Sequence, residues 1–339
     1  MDAILHIGTE KTGTTSFQRF CHLNRAELAA QGVLYPARLG GDNHRSVAMY
    51  GLSAATPDEA IVARGIRTEH EMDAFRRSVE NTLDEQLKAA PADAVCLLSS
   101  EHLHSRLKTP DQIEHVHALL APRFDRITVM VHLRPQVDVA VSLASTQSRV
   151  GGAVRRGFFD QMSPEGLYYN YDKLVAAWED VFGVDAVRCI AFKSRPDFLG
   201  LICEELGIDR TSLAVPTREN EALDVRTMAM VNALVDSGSP QRIDFRVLDR
   251  LPVLERLRLS RDLARKLQAP FESHNRALIA RRGDLSPGDL QPDWSRFPEE
   301  GNLHLLEDKV FFAESFAALV AHYNDQIDAG SNLGGNRNA

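Results

Sequence analysis

Four apolar runs of strand length, each followed by a helical pattern, constrain this chain more than any other feature. Residues 3–7, 94–99, 127–133 and 186–192 are mostly apolar, and 94–99 is a continuous apolar run rather than an alternating one. Such runs belong to strands covered on both faces. Between them lie amphipathic stretches. Residues 15–31 read as one helix with Phe17, Phe20, Cys21 and Leu28 on its buried stripe, stopped by Gly32. Further helices are expected over 68–89, around 111–120, after Arg134-Pro135, over 171–182 and through Leu199, Ile202, Cys203 and Leu206. Val33-Leu34-Tyr35 adds a short strand. This alternation specifies an α/β fold, a mainly parallel sheet with helices on both faces.

Right-handed crossovers put the strand-to-helix junctions at one edge of such a sheet, the edge where ligands bind. Four junctions therefore converge: the loop after residue 7, the segment 37–44, Ser100-Glu101-His102, and Arg134 with its helix. The first is the most informative. Ile7-Gly8-Thr9-Glu10-Lys11-Thr12-Gly13-Thr14-Thr15 is a strand end, a Gly- and Thr-rich turn and a helix start. Backbone N–H groups and the positive end of the helix dipole make such a junction an anion site. Lys11 adds a cation, and Thr12, Thr14 and Thr15 add hydroxyl donors.

Composition narrows the partners. The 339 residues carry a net charge of −8, against a general nucleic-acid binder. No run approaches the roughly 20 apolar residues needed to span a bilayer, and no signal-peptide pattern opens the chain. The four cysteines have no metal-type spacing, and Cys96 and Cys189 fall inside apolar runs, as reduced core thiols do. A cytoplasmic protein is expected. Beyond about residue 210 the patterns are helical, with Phe312, Phe316, Leu319, Val320 and Tyr323 forming one stripe. The expected organisation is a single α/β domain over 1–328: a core over 1–210, a helical acceptor or cap region over about 211–328, and a disordered tail at 329–339.

The loop is not a Walker A motif. Gly8 and Gly13 have its spacing, but Thr14-Thr15 stand where Lys then Ser or Thr belong. No apolar strand ends in the Asp that a triphosphatase uses for magnesium. Lys11-Thr12-Gly13-Thr14-Thr15 instead resembles the 5′-phosphosulfate loop of sulfotransferases that use 3′-phosphoadenosine 5′-phosphosulfate (PAPS). That family has a second element, a strand ending in Arg with Ser eight residues later on a helix, and Arg134 and Ser142 have this spacing. Ser99-Ser100-Glu101, Arg134/Gln136/Ser142/Gln147 and Tyr171/Trp178/Phe182-Gly183 are similar to the bacterial branch. The resemblance covers about the first 210 residues on the scale of such a fold. The Arg-Lys-Gly element of cytosolic animal enzymes has only a superficial counterpart, Arg281-Arg282-Gly283.

The resemblance implies a P-loop-like sulfotransferase fold and transfer of a sulfuryl group from PAPS, leaving PAP, to a hydroxyl of a carbohydrate, glycolipid or small metabolite, without a metal. Thr12, Gly13, Thr14 and Thr15 would hold the 5′-phosphate, Arg134 and Ser142 the 3′-phosphate. Lys11 would stabilise charge on the leaving oxygen. The general base is Glu101 or His44: Glu101 stands at the end of the central strand, and His44 has a suitable intrinsic pKa. His102 is expected on an extended segment, facing away from Glu101. Two other readings stand beside this one, a P-loop kinase or triphosphatase using ATP and magnesium, and a non-catalytic nucleotide-binding protein.

Overall fold

β1 (Asp2–His6) is the middle strand of a five-stranded, wholly parallel sheet in the computed structural model, which describes residues 1–55, 58–192, 198–216, 222–238, 253–308 and 310–311. After β1 come α1 (Thr14–Leu23), α2 (Arg25–Ala30), β2 (Val33–Leu34), α3 (Arg45–Tyr50), α4 (Glu59–Ala63), α5 (Glu69–Lys88) and β3 (Val95–Ser99). Then follow α6 (His102–Arg106), α7 (Pro110–Leu120), β4 (Ile127–Leu133), α8 (Gln136–Arg149), α9 (Arg156–Phe159), α10 (Tyr171–Phe182), β5 (Val187–Ala191) and α11 (Phe198–Glu205). α12 (Val225–Asp236), α13 (Arg261–Gln268) and α14 (Glu272–Arg281) follow among the described residues. The strand order is β2-β3-β1-β4-β5. The chain leaves β1 toward β2 on one side and later returns to β4 on the other, so the order reverses beside β1. A crevice at such a reversal is where open α/β sheets bind ligands.

The α/β class expected from the pattern is the class observed. Both faces are covered because side chains along a strand alternate. Ile4 and Leu97 pack with Phe17, Phe20, Cys21 and Leu28 of α1 and α2, while Leu5, Cys96, Leu98 and Val131 pack with α7 and α10. Tyr171, Leu174 and Trp178 of α10 are essentially fully buried, each such side chain contributing about 1.5–3 kcal/mol. All four cysteines are buried.

One helix was expected over 15–31, and the structure divides it. Asn24 ends α1 because its amide competes for the Phe20 carbonyl at 2.8 Å and also pairs with both backbone groups of Ala214, at 2.9 and 2.7 Å. With these partners Asn24 leaves helical geometry (φ −112°, ψ 25°) and serves as the C-cap of α1 and the N-cap of α2.

The chain forms two compact units. The first comprises 1–139, 163–219 and 270–291 and contains the sheet. The second comprises 140–162, 220–269 and 292–339. Within the second, Asn232 of α12 bonds both backbone groups of Val154 and the Leu306 carbonyl, and Asp224 caps α12 and accepts from the amides of Leu254 and Glu255. Among the described residues no helix is long and apolar enough to cross a membrane. The stripe from Phe312 to Tyr323 and the tail at 329–339 lie outside the described residues.

Candidate active site at the carboxyl edge of the sheet

The loop between β1 and α1 is sewn to β4. Thr9 donates to the His132 carbonyl from its amide (2.9 Å) and its hydroxyl (3.0 Å), and His132 N donates back to Gly8 O at 2.6 Å. Gly8 has φ 100°, and a Cβ there would sit 3.1 Å from the Glu101 Cα. Only glycine lets the first turn of the loop lie against the end of β3. Lys11 (φ 65°) and Gly13 (φ 78°) are both left-handed. Gly13 is the N-cap of α1 and no side chain caps this helix. Its first N–H groups, those of Thr14, Thr15 and Ser16, have no intrahelical acceptor by helix geometry.

Arg134, one residue past β4, donates from Nη1 to the Lys11 carbonyl at 2.9 Å. Its guanidinium carbon lies 5.6 Å from the centre of the Phe192 ring, and its own carbonyl accepts from Tyr171 Oη at 2.7 Å. The structure therefore brings Lys11, Gly13, Thr14, Thr15, Glu101 and Arg134 to one edge of the first unit. Ser142 is half-buried on α8, in the part of that helix belonging to the second unit.

Two expectations about single residues need correction. Thr12 is fully buried, and its one hydroxyl hydrogen goes to the Thr9 carbonyl at 2.6 Å. It braces the loop instead of offering that hydrogen to a phosphate. His44 is fully buried as well. Its Nδ1 accepts from the Ser99 amide at 3.0 Å, so Nε2 carries the hydrogen and donates to the Pro36 carbonyl at 2.7 Å. Burial lowers its pKa to about 4. A histidine neutral at pH 7 with both nitrogens engaged positions the end of β3; it is not placed to receive a proton from an acceptor.

Glu101 and His102 also differ from the extended segment expected. Glu101 has helical backbone angles and starts α6, so the two side chains are neighbours, Glu101 Oε1 lying 4.0 Å from His102 Nε2. Asn43 contacts the same Nε2 at 3.1 Å. Burial lowers the His102 pKa, the Glu101 charge working the other way. The Glu101 side chain is 16% exposed, and its Oε2 accepts from Gln18 Nε2 at 2.6 Å.

Sequence reasoning missed Glu10, Gln18, His104 and Tyr168. Tyr168 Oη donates to Glu10 Oε2 at 2.5 Å, His104 Nε2 donates to the Tyr168 carbonyl at 2.9 Å, and His104 Nδ1 accepts from Glu10 N at 3.3 Å. Burial opposes the Glu10 charge, yet the Tyr168 hydroxyl and other polar neighbours hold its pKa below the ordinary value. This clasp fixes the loop one residue before Lys11. Gln18 had a readable signal: it lies one turn after Thr14, a polar residue on the stripe that also holds Phe17 and Cys21. Arg281 and Arg282 are elsewhere. They pair with Asp172, Glu179 and Asp284, and Arg282 reaches the Val187 carbonyl at the amino end of β5. Among the described residues no group of three His, Cys, Asp or Glu is arranged to hold a metal ion.

The site is thus a strand–loop–helix junction in a parallel α/β protein, with an arginine tied to the loop and the Cα and Cβ of Glu101 against its first glycine. No protein-family model matches the chain, and no curated protein matches it. Among solved structures it is similar to the crystal structure of a sulfotransferase from Alicyclobacillus acidocaldarius, with 17% identity over 82% of this chain and 96% of that one and a TM-score of 0.44. A likeness of that size bears no weight for the site, whose reading rests on its own residues.

Proposed function

We propose that this chain is a PAPS-dependent sulfotransferase that passes a sulfuryl group to a hydroxyl of a carbohydrate, glycolipid or other small metabolite. The observation that carries the reading is the hydrogen bond from Arg134 to the Lys11 carbonyl. It ties the residue assigned to the 3′-phosphate to the loop assigned to the 5′-phosphosulfate. The uncapped start of α1 supports the loop assignment, since its first N–H groups suit an anion. Ser142 is assigned to the 3′-phosphate by its spacing in the sequence alone.

The chemistry follows from those placements. The acceptor oxygen attacks sulfur in line as the bond from sulfur to the bridging oxygen breaks, and that electron pair stays on the 5′-phosphate of PAP. Lys11 answers the charge that grows there. The acceptor's proton passes to Glu101, whose Cα and Cβ lie against Gly8. The scheme uses no metal. We assign it to the cytoplasm, in keeping with the buried thiols of Cys21, Cys96 and Cys189.

The test is thermal unfolding with PAP, or with ATP and magnesium, because a ligand that binds only the folded chain raises its melting temperature. Stabilisation by PAP is expected. Stabilisation by ATP and magnesium without PAP would replace this reading with the kinase or triphosphatase one.

A further inference from the structure

We propose that Gln18 is a positioning residue for Glu101, holding one carboxylate oxygen so that the other is presented as the base; this rests on the sulfotransferase reading. Gln18 is 3% exposed and sits on α1 four residues after Thr14, so one helix face serves both the loop and the carboxylate. Its Nε2 donates to Glu101 Oε2 at 2.6 Å and to Ser99 Oγ at 3.3 Å. An ionised carboxylate only accepts, so the nitrogen end of the amide must face it.

The remaining hydrogens then fall into order. Ser99 Oγ, accepting from Gln18, gives its own hydrogen to His6 Nδ1 at 2.8 Å. His6 must then carry its hydrogen on Nε2, which meets His132 Nδ1 at 3.0 Å. Ser99 and His6 are fully buried and His132 nearly so. Burial lowers the pKa of His6 to about 4 and that of His132 well below the ordinary value, so both rings stay neutral as this arrangement requires.

Gln18 Nε2 thus donates to Glu101 Oε2 and also to Ser99, from which a chain of hydrogen bonds runs through His6 to His132 in the middle of the sheet and fixes the amide. Oε2 is occupied, and Oε1, beside His102, is the oxygen left to take a proton. An amide suits this role better than a guanidinium would. It fixes the carboxylate without cancelling the charge that makes it basic.

The experiment is a double-mutant cycle on turnover with Gln18→Met, Glu101→Gln and the pair. It follows ³⁵S transfer from PAPS to methyl glucoside, glycerol, 4-nitrophenol and water, with PAP-induced stabilisation measured for every variant. Gln18→Met conserves volume and removes the donor. It should lower kcat about 10- to 100-fold, leave the KM for PAPS and the response to PAP unchanged, and cost nothing further in the Glu101→Gln background. An equal loss in both backgrounds, or no loss in the wild-type background, overturns the inference. Should Gln18→Met fail to fold, Ser99→Ala replaces it and should show a smaller kcat loss that also vanishes with Glu101→Gln; a loss that persists there overturns the inference. Wild-type protein that neither responds to PAP nor transfers sulfur overturns the sulfotransferase reading itself, and the inference falls with it.

Discussion

Glu101 and Glu179 are both largely buried glutamates of the same unit, and they are treated in opposite ways. Glu179, on α10, is 5% exposed at the side chain and is met by two guanidinium groups, Arg281 and Arg282, the latter at 2.7 Å. Glu101, at the carboxyl edge of the sheet, is met by the neutral amide of Gln18 and by a ring whose pKa burial lowers. Opposite charge cancels opposite charge at Glu179, and the result is a bolt between α10 and the end of α14. A neutral dipole leaves the charge of Glu101 in place. The contrast separates a carboxylate matched by opposite charge from one that the proposed reaction uses as its base.

The same isosteric change at both positions should therefore have opposite consequences. Glu101→Gln should lower kcat about 10²- to 10⁴-fold with little change in melting temperature, measured by PAPS turnover and thermal unfolding. Glu179→Gln should leave kcat of the folded protein near wild type but cost about 1.5–3 kcal/mol of stability, because Arg281 and Arg282 lose the carboxylate they share and keep only Asp172 and Asp284; denaturant unfolding reads this. Turnover lost at Glu179 and stability lost at Glu101 would break the comparison.

The buried histidines sharpen it through pH. His6 and His44 titrate at about 4 in the folded chain and near 6.5 when unfolded. The unfolded chain binds more protons between those values, so stability is intact above pH 6.5 and falls as pH drops toward 4. Each contributes on the order of 3 kcal/mol across that window. Melting temperature against pH should show the fall, and His44→Gln should flatten it without moving the pH profile of turnover. A shifted turnover profile would return His44 to the list of bases. The smallest effect is expected at Thr12. Thr12→Val leaves the Thr9 carbonyl without its hydroxyl partner and should cost about 1–2 kcal/mol, whereas Thr12→Ser should be close to neutral in the same unfolding assay.

The polar groups around the loop show where reading a sequence stops. Thr12 and Thr14 look alike in the string, yet one hydroxyl turns back onto the loop. His44 has the residue type of a base, and only its packing against Pro36 and Ser99 reveals that both nitrogens are engaged. The clasp of Glu10 by Tyr168 joins residues 158 positions apart. Such a contact has no local periodicity for a sequence to display.

The sequence by itself determined the parallel sheet, its helices and the converging junctions, because burial on both faces demands continuous apolar runs and the crossover hand is fixed by chirality. It also marked the loop by its glycines and lysine, since backbone N–H groups need little more than a strand end and a helix start to form an anion site. What only the tertiary structure decided is which polar groups face one another. Hydrogen bonds are directional and short-ranged, so the roles of Thr12, Gln18, His44 and Glu101 depended on ångström-scale placement that chain folding alone supplies.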